Sequence, residues 1–275
     1  MYRFTLNAGH GLNTPGKRIP KELDPKETRE WTLNARICDK VEALLQDYTG
    51  WEMLRLDDHT GVTDVSLRDR TSAANAWGAQ EYYSIHHNAS ESGKPWNGGG
   101  IEVYIHPKAS DAAEKMQKLL YAGLIAHTGL EGNRAKPLRT ANYQELRETK
   151  MPAVLLELGF MDSRVDAPII LTEEYADQCA AAIVDVIVRR GKLVLKQNTQ
   201  GVAVHLPILR KGDTGARVQA LQHLLIGWGY SCGKAGADGV FGPDTEHAVE
   251  CLQEDCDLMP GGIVDSNTWA KLLGA

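Results

Sequence analysis

Two imidazoles and a carboxylate in the early part of the chain are the residue types from which chemistry could be built. His10 stands in LNAGHG (residues 6–11), where a strand-like run stops on glycine; Glu30 stands in REWTLNARI (29–37); His86 stands in SIHHNAS (84–90). Two histidines and one carboxylate make a catalytic zinc set with one coordination position left for water. Glu30 shares a stripe at intervals of three and four with Leu33, Asn34, Ile37 and Val41, so a helix would bury it. A buried, unpaired carboxylate takes up a proton, so Glu30 must face an arginine, a lysine or a metal; its own position leaves ion pair and metal equally open. His86 and His87 end a β-rich run, and alternation sends them to opposite faces. Glu157 lies at a strand end in the apolar run PAVLLELGF (152–160), where burial would raise its pKa. The alternative is that Glu157 is a buried ion-pair partner of Arg147 or Lys150.

The elements that must position these residues alternate in type over the first 190 residues. YRFTLNA, WEMLRL, YYSIH, IEVYIH and PAVLLELGF read as strands, and helical periods run at about 25 to 48, 66 to 79, 110 to 128 and 172 to 190. This predicts an α/β domain with a largely parallel sheet flanked by helices, in which ligands gather beyond the carboxyl ends of the strands. His10, His86 and Glu157 all fall at or near such ends. Asp24, Pro25 and Glu27 predict the cap, first position and capping-box carboxylate of the helix that carries Glu30.

Residues 191–206 lose the helical period and read as a linker, in which VAVHL could pair as a short strand. From Pro207 the pattern is helical and turn-rich, with Val218, Leu221, Leu225 and Trp228 at helical spacing behind Asp213 or Thr214 as N-cap. DGVFGPDT (238–245) and GGIVDSNT (261–268) repeat at an offset of 23 residues, each a turn that opens a helix near Thr245 and Thr268. Pro243 suits a first helical turn, Asp265 an N-cap, and Phe241 a core anchor. The domains are therefore read as 1–190, a linker of 191–206, and a compact helical bundle over 207–275.

The net charge of -6 divides into about -4 for residues 1–190, +2 for 191–204 and -4 for 205–275. Neither half carries the basic footprint that nucleic-acid binding needs, nor a polybasic membrane patch. No apolar stretch is long enough for membrane insertion, and the N-terminus lacks the pattern of a signal peptide. Synthesis as a soluble cytoplasmic protein is expected. The five cysteines, odd in number and without C-x-x-C spacing, read as reduced core thiols.

LNAGHG, REWTLNARI, SIHHNAS, GIEVY and LRETKMPAVLLELGF, in this order, resemble the successive motifs of the zinc-dependent N-acetylmuramoyl-L-alanine amidases of the Amidase_3 type. The resemblance covers roughly residues 1–188. It implies Zn2+ as cofactor, His10, Glu30 and His86 as its ligands, and Glu157 as the catalytic residue. His86 rather than His87 is the implied ligand because it directly follows Ser84-Ile85; the family usually has a small residue at His87. The implied reaction is hydrolysis of the amide between N-acetylmuramic acid and L-alanine in bacterial peptidoglycan, with zinc polarising the carbonyl and activating water. A zinc peptidase cutting within the stem peptide is the enzymatic alternative, and a catalytically silent wall-binding protein the non-enzymatic one.

The tail, from LRKGDTGARVQALQHLLIGWGY through ADGVFGPDTEHAVECLQ to NTWAKLL, is similar to the PG_binding_1 type of peptidoglycan-binding domain, a small three-helix module. A tether of this kind would hold the catalytic domain at high effective concentration near an insoluble wall. With its substrate outside the membrane and no signal peptide, the chain is expected to be a phage endolysin acting at the cell wall after release. A host amidase is the other origin considered.

Overall fold

The computed structural model describes residues 1–90, 92, 94–196 and 206–273. The chain divides into two compact units, Met1–Gln197 and Asn198–Ala275. Along the first unit run β1 (Tyr2–Ala8), α1 (Glu30–Leu45), β2 (Tyr48–Thr49), β3 (Trp51–Arg55), α2 (Leu67–Trp77), β4 (Glu81–Asn88), β5 (Ile101–Ile105), α3 (Asp111–Thr128), β6 (Leu138–Thr140), α4 (Gln144–Arg147), β7 (Ala153–Phe160), α5 (Ala167–Ile170), α6 (Glu173–Gly191) and β8 (Val194–Leu195). The six-stranded sheet has the order β3-β1-β4-β7-β5-β6. Its pairs are parallel except β5 with β7, which run antiparallel. The expected largely parallel α/β sheet is therefore present.

Strand alternation sorts the sheet residues onto two different faces. Phe4, Leu6, Tyr83, Ile85, Val154 and Leu156 join the large core with the apolar stripes of α1, α3 and α6. The opposite face carries a smaller core, with Tyr82 and Leu155 packed against Ala74 of α2 and Leu146 of α4. That second face also receives the polar residues Asn7, Ser84 and His86. The order of strands puts β1, β4 and β7 side by side at the centre, so three strand ends that are far apart in sequence open at one place.

The start of α1 differs from the expected one. Asp24 does accept backbone N–H groups, from Lys26 and Thr28, but these close a turn rather than cap the helix. Glu27 has a left-handed backbone, φ 48°, and pairs with Arg18. The helix begins only at Glu30, its first residue. A capping-box pattern was satisfied locally by a turn, and the delay places the Glu30 carboxylate at the end of α1 instead of along its side.

The second unit holds α7 (Ala216–Gly227), α8 (Pro243–Asp255) and α9 (Ser266–Leu272) around Val218, Leu221, Leu225, Phe241, Val249, Leu252 and Trp269. Pro243 opens α8, Asp265 caps α9 through Thr268 N, and Phe241 is buried, as expected. The cap of α7 is Gly215, φ 109°, because Asp213 uses its carboxylate on Arg210 N instead. Trp228, placed on the apolar stripe by spacing, lies just past the helix and is exposed.

The 23-residue repeat has a polar core of its own. Gln222 Nε2 donates to Thr245 Oγ1 and Val240 O, while Gln253 Nε2 donates to Thr268 Oγ1 and Ile263 O. Each buried glutamine ties the helix it sits on to the turn that opens the next. The possible strand in VAVHL falls on 202–206 and, save for Leu206, lies outside the described residues. All five cysteines are free; Cys38, Cys179 and Cys232 are buried, whereas Cys251 and Cys256 are only partly so.

Candidate metal centre and adjoining cleft

The chain brings His10, Glu30 and His86 together: one potential ligand atom from each lies within 4.8 Å of the others. His86 Nδ1 is 3.1 Å and His10 Nε2 3.4 Å from Glu30 Oε1. Glu30 is 1% exposed, and its Oε2 lacks a hydrogen-bond partner among the described residues. Lys17 Nζ approaches that oxygen at 3.5 Å from a more exposed position. Burial pushes the Glu30 pKa up, but hydrogen bonds and charge from His10 and His86 outweigh it and hold the carboxyl well below its usual range. The same partnership raises His86 against the opposing effect of its burial. An ionised carboxylate between two imidazoles, with a spare lone pair, is a donor set suited to a divalent cation.

His10 reaches the cluster through a rare backbone. Its φ is 66°, a left-handed conformation uncommon outside glycine. Arg70, 1% exposed, holds this segment: its guanidinium donates to Ala8 O at 2.7 Å, to His10 O at 3.1 Å and to the Asn7 side chain. Gly9 is equally constrained, because a Cβ there would come within 2.0 Å of the His86 ring. The glycine before His10 is thus required by close approach of a side chain.

His86 and His87 do point to opposite faces. His87 Nδ1 meets Asn34 Oδ1 at 2.8 Å beneath α1, and burial pushes its pKa down to about 3. Glu157 is the register partner of His86 on β7. Burial raises its pKa to about 8, partly offset by the charge of His86, and its Oε2 is buried with no partner among the described residues. Among the described residues neither alternative partner forms an ion pair with Glu157, and Arg147 pairs with Glu148 instead.

One hollow borders the cluster, and a second opens beyond Asn88 at the end of β4. One, about 340 Å³, is lined by His10, Asp64, Arg70, His86 and Glu145. The other, about 580 Å³, is lined by Trp96, Glu102, Tyr104, Arg134, Arg139 and Tyr143 among others. Gly98 to Gly100 are buried, and a Cβ on each would strike Trp96, Asp166 and the Glu131–Gly132 backbone in turn.

Sequence reasoning missed Arg70, Asn7, Ser84 and Glu145. Asn7 and Ser84 carried a signal, polar residues in strand phase with one another and with His86. Arg70 carried none, because a lone arginine on a polar helix reads as solvated. Glu145 sits on a helix of one turn, too short for any periodicity to show.

The N-acetylmuramoyl-L-alanine amidase profile Amidase_3 matches residues 5–189, and the peptidoglycan-binding-domain profile PG_binding_1 matches residues 214–272. A sporulation-specific N-acetylmuramoyl-L-alanine amidase of Bacillus subtilis (strain 168) is 33% identical over 181 residues, 66% of this chain and 64% of the relative. Probable cell wall amidase LytH of Staphylococcus aureus is 34% identical over 190 residues, 66% of this chain and 56% of the relative. The chain thus spans 56 to 64% of the length of these curated relatives. Among solved structures, an N-acetylmuramoyl-L-alanine amidase from Clostridium difficile 630 aligns with a TM-score of 0.60 at 28% identity, over 68% of this chain and 95% of that one. The catalytic domain of CwlV, an amidase from Bacillus (Paenibacillus) polymyxa var. colistinus, aligns at 0.58 and 29%, over 69% and 98%. The chain belongs to the Amidase_3 family of N-acetylmuramoyl-L-alanine amidases and carries a C-terminal PG_binding_1 domain.

Proposed function

We propose that the protein hydrolyses the amide bond between N-acetylmuramic acid and L-alanine in bacterial peptidoglycan, with Zn2+ held by His10, Glu30 and His86 and with Glu157 as general base. The observation that carries this reading is the convergence of the three donors within 4.8 Å, beside Glu157, whose Oε2 is buried without a partner among the described residues. The set fits a cation on its chemistry: Glu30 is ionised, its Oε2 is free of hydrogen bonds among the described residues, and both imidazoles point a nitrogen at it. A divalent cation bound there supplies Lewis-acid polarisation of the amide carbonyl and acidifies water.

The remaining work falls to this chain's side chains. Glu157 takes a proton from the attacking water and returns it to the nitrogen of L-alanine as the carbon–nitrogen bond breaks, so the products are a lactyl carboxylate and a free amine. Its high pKa without a metal suits the return of that proton, and a nearby cation would favour the ionised form that begins the cycle. Arg70 keeps His10 at the mouth of the hollow, and Gly9 leaves the room that His86 occupies.

The division into a catalytic domain at 1–190, a linker at 191–206 and a wall-binding domain at 207–275 is part of the same proposal. The C-terminal domain binds peptidoglycan and localises the catalytic domain, and lysis of the wall, in the manner of an endolysin, is the outcome. No helix among the described residues is long and apolar enough to cross a membrane. The test is mass spectrometry of the soluble products after purified protein digests isolated peptidoglycan. Stem peptides beginning in free L-alanine, with glycan strands intact, are expected; cuts within the stem would mean a peptidase, and wall binding without products a silent binder.

A further inference from the structure

Glu145 is a buried carboxylate that the reaction above does not use. It is 3% exposed, and it has no lysine or arginine within ion-pair distance among the described residues. Its Oε1 accepts from Tyr82 OH at 2.6 Å, Asn7 Nδ2 at 2.7 Å and Ser84 Oγ at 3.3 Å. The closest group that can carry positive charge is His86, whose Nε2 lies 3.8 Å from Glu145 Oε2. Burying a carboxylate without a cation is costly, and an apolar side chain would fill a site beside Leu146 and Tyr82 at less expense. The retained charge therefore has a task, and the group it faces is the imidazole.

The hydrogen bonds say what that task is. Ser84 Oγ lies 3.1 Å from His86 Nε2 and receives Asn7 Nδ2 at 2.9 Å. The hydroxyl has a single proton, and the carboxylate of Glu145 can only accept. With that proton given to Glu145, the remaining lone pairs of Ser84 accept from Asn7 and from His86, which requires a hydrogen on Nε2. In the metal-free protein the other nitrogen, Nδ1, lies 3.1 Å from Glu30 Oε1 and shares a proton with that carboxylate; a cation bound there would displace the proton and take the Nδ1 lone pair. A neutral side chain at 145 would let the Ser84 proton turn to Nε2 and leave the hydrogen on Nδ1, aimed at the place a cation would occupy.

We infer that Glu145 is a positioning residue: directly and through Ser84 it holds His86 with Nε2–H toward itself and Nδ1 toward His10 and Glu30. The inference rests on the metal reading of that cluster. Partners of this kind on a ligating histidine set tautomer and basicity, and their loss weakens metal binding by roughly 10- to 100-fold.

The test uses the full chain and Zn2+ alone, without substrate. Zinc affinity is measured by chelator competition for wild type, Glu145→Gln and Ser84→Ala, with thermal unfolding of the metal-free proteins as the check on folding. Imidazole nitrogen NMR of the zinc-loaded, 15N-histidine-labelled protein reports which nitrogen of His86 carries hydrogen. Expected are an Nε2–H signal for His86 in wild type and affinity lowered by roughly 10-fold or more in Glu145→Gln, with unfolding little changed and a smaller loss in Ser84→Ala. Wild-type affinity in Glu145→Gln, or hydrogen on Nδ1 in the loaded wild type, overturns the role of Glu145 alone. Failure of wild type itself to bind zinc overturns the metal reading and this inference with it.

Discussion

His86 on β4 and Glu157 on β7 are direct register partners in parallel strands, so their side chains share one face of the sheet at its carboxyl end. The same register that aligns them also brings Glu102 of β5 opposite Glu157 from the other side. An imidazole and two carboxylates thus stand in a row across three strands whose sequence positions have no fixed spacing. With His10 delivered just past β1 and Glu30 from the start of α1, sheet order, the late start of α1 and the Arg70 clamp together account for the assembly.

Glu157→Gln keeps volume and removes the base. Turnover of isolated peptidoglycan should fall by about 10²- to 10⁴-fold, the range of a lost general base, while zinc content stays at the wild-type level. Loss of zinc together with turnover would show that Glu157 acts as a ligand instead.

Metal removal should abolish hydrolysis and addition of Zn2+ should restore it. His10→Ala, Glu30→Ala and His86→Ala should each lose zinc retention and fail to recover on add-back, since each removes one member of a three-donor set. Full activity after exhaustive chelation would contradict the assignment.

Gly9→Ala should displace the His86 ring, because the new methyl would occupy space 2.0 Å from ring atoms. A lowered zinc affinity is expected for this variant even where the protein folds. Arg70→Met should act on stability more strongly, since it leaves the carbonyls of Ala8 and His10 without their donor, at about 1–3 kcal/mol for each unmet buried group. Chelator competition measures the zinc affinity of Gly9→Ala, and urea unfolding of the metal-free proteins the stability of Arg70→Met.

His87 gives a pH dependence with a definite sign. Its folded pKa of about 3 lies below the unfolded value of 6.5, so the unfolded chain binds the extra proton first. The stability it contributes is fully present above pH 6.5 and is lost as pH falls toward 3. In His87→Ala the acid-side slope of unfolding free energy should be shallower by up to about 1.4 kcal/mol per pH unit in that window. The comparison is of slopes, because the cavity left by the ring lowers stability at every pH. Equal slopes in the metal-free proteins would mean that His87 is not held neutral.

Much of this site was legible before the structure. Strands and long helices announce themselves by period 2 and period 3.6, and Glu30 stands out as the charge on a mostly apolar stripe. The start of α1 was misread because Asp24, Pro25 and Glu27 satisfy the local chemistry of a cap in a turn that is not helical. The reversal of β5, the short β6 and the one-turn α4 gave no periodic signal; they follow from sheet pairing and packing. The clamp by Arg70 was illegible for a different reason: its meaning depends on carbonyl groups about sixty residues away.

Deletion of residues 207–275 should weaken retention on intact walls and spare hydrolysis of a soluble muramyl peptide, because the two units have separate hydrophobic cores. Cosedimentation with sacculi and turnover of the fragment measure the two effects apart. Equal losses on both substrates would count against a targeting role.

The most direct measurement is anomalous diffraction at the zinc absorption edge from crystals of the full chain grown with Zn2+. One strong peak bounded by His10 Nε2, Glu30 and His86 Nδ1, absent in Glu30→Ala, is the predicted result. A peak on His87 or elsewhere, or none between these three residues in a protein that hydrolyses peptidoglycan, would contradict the account.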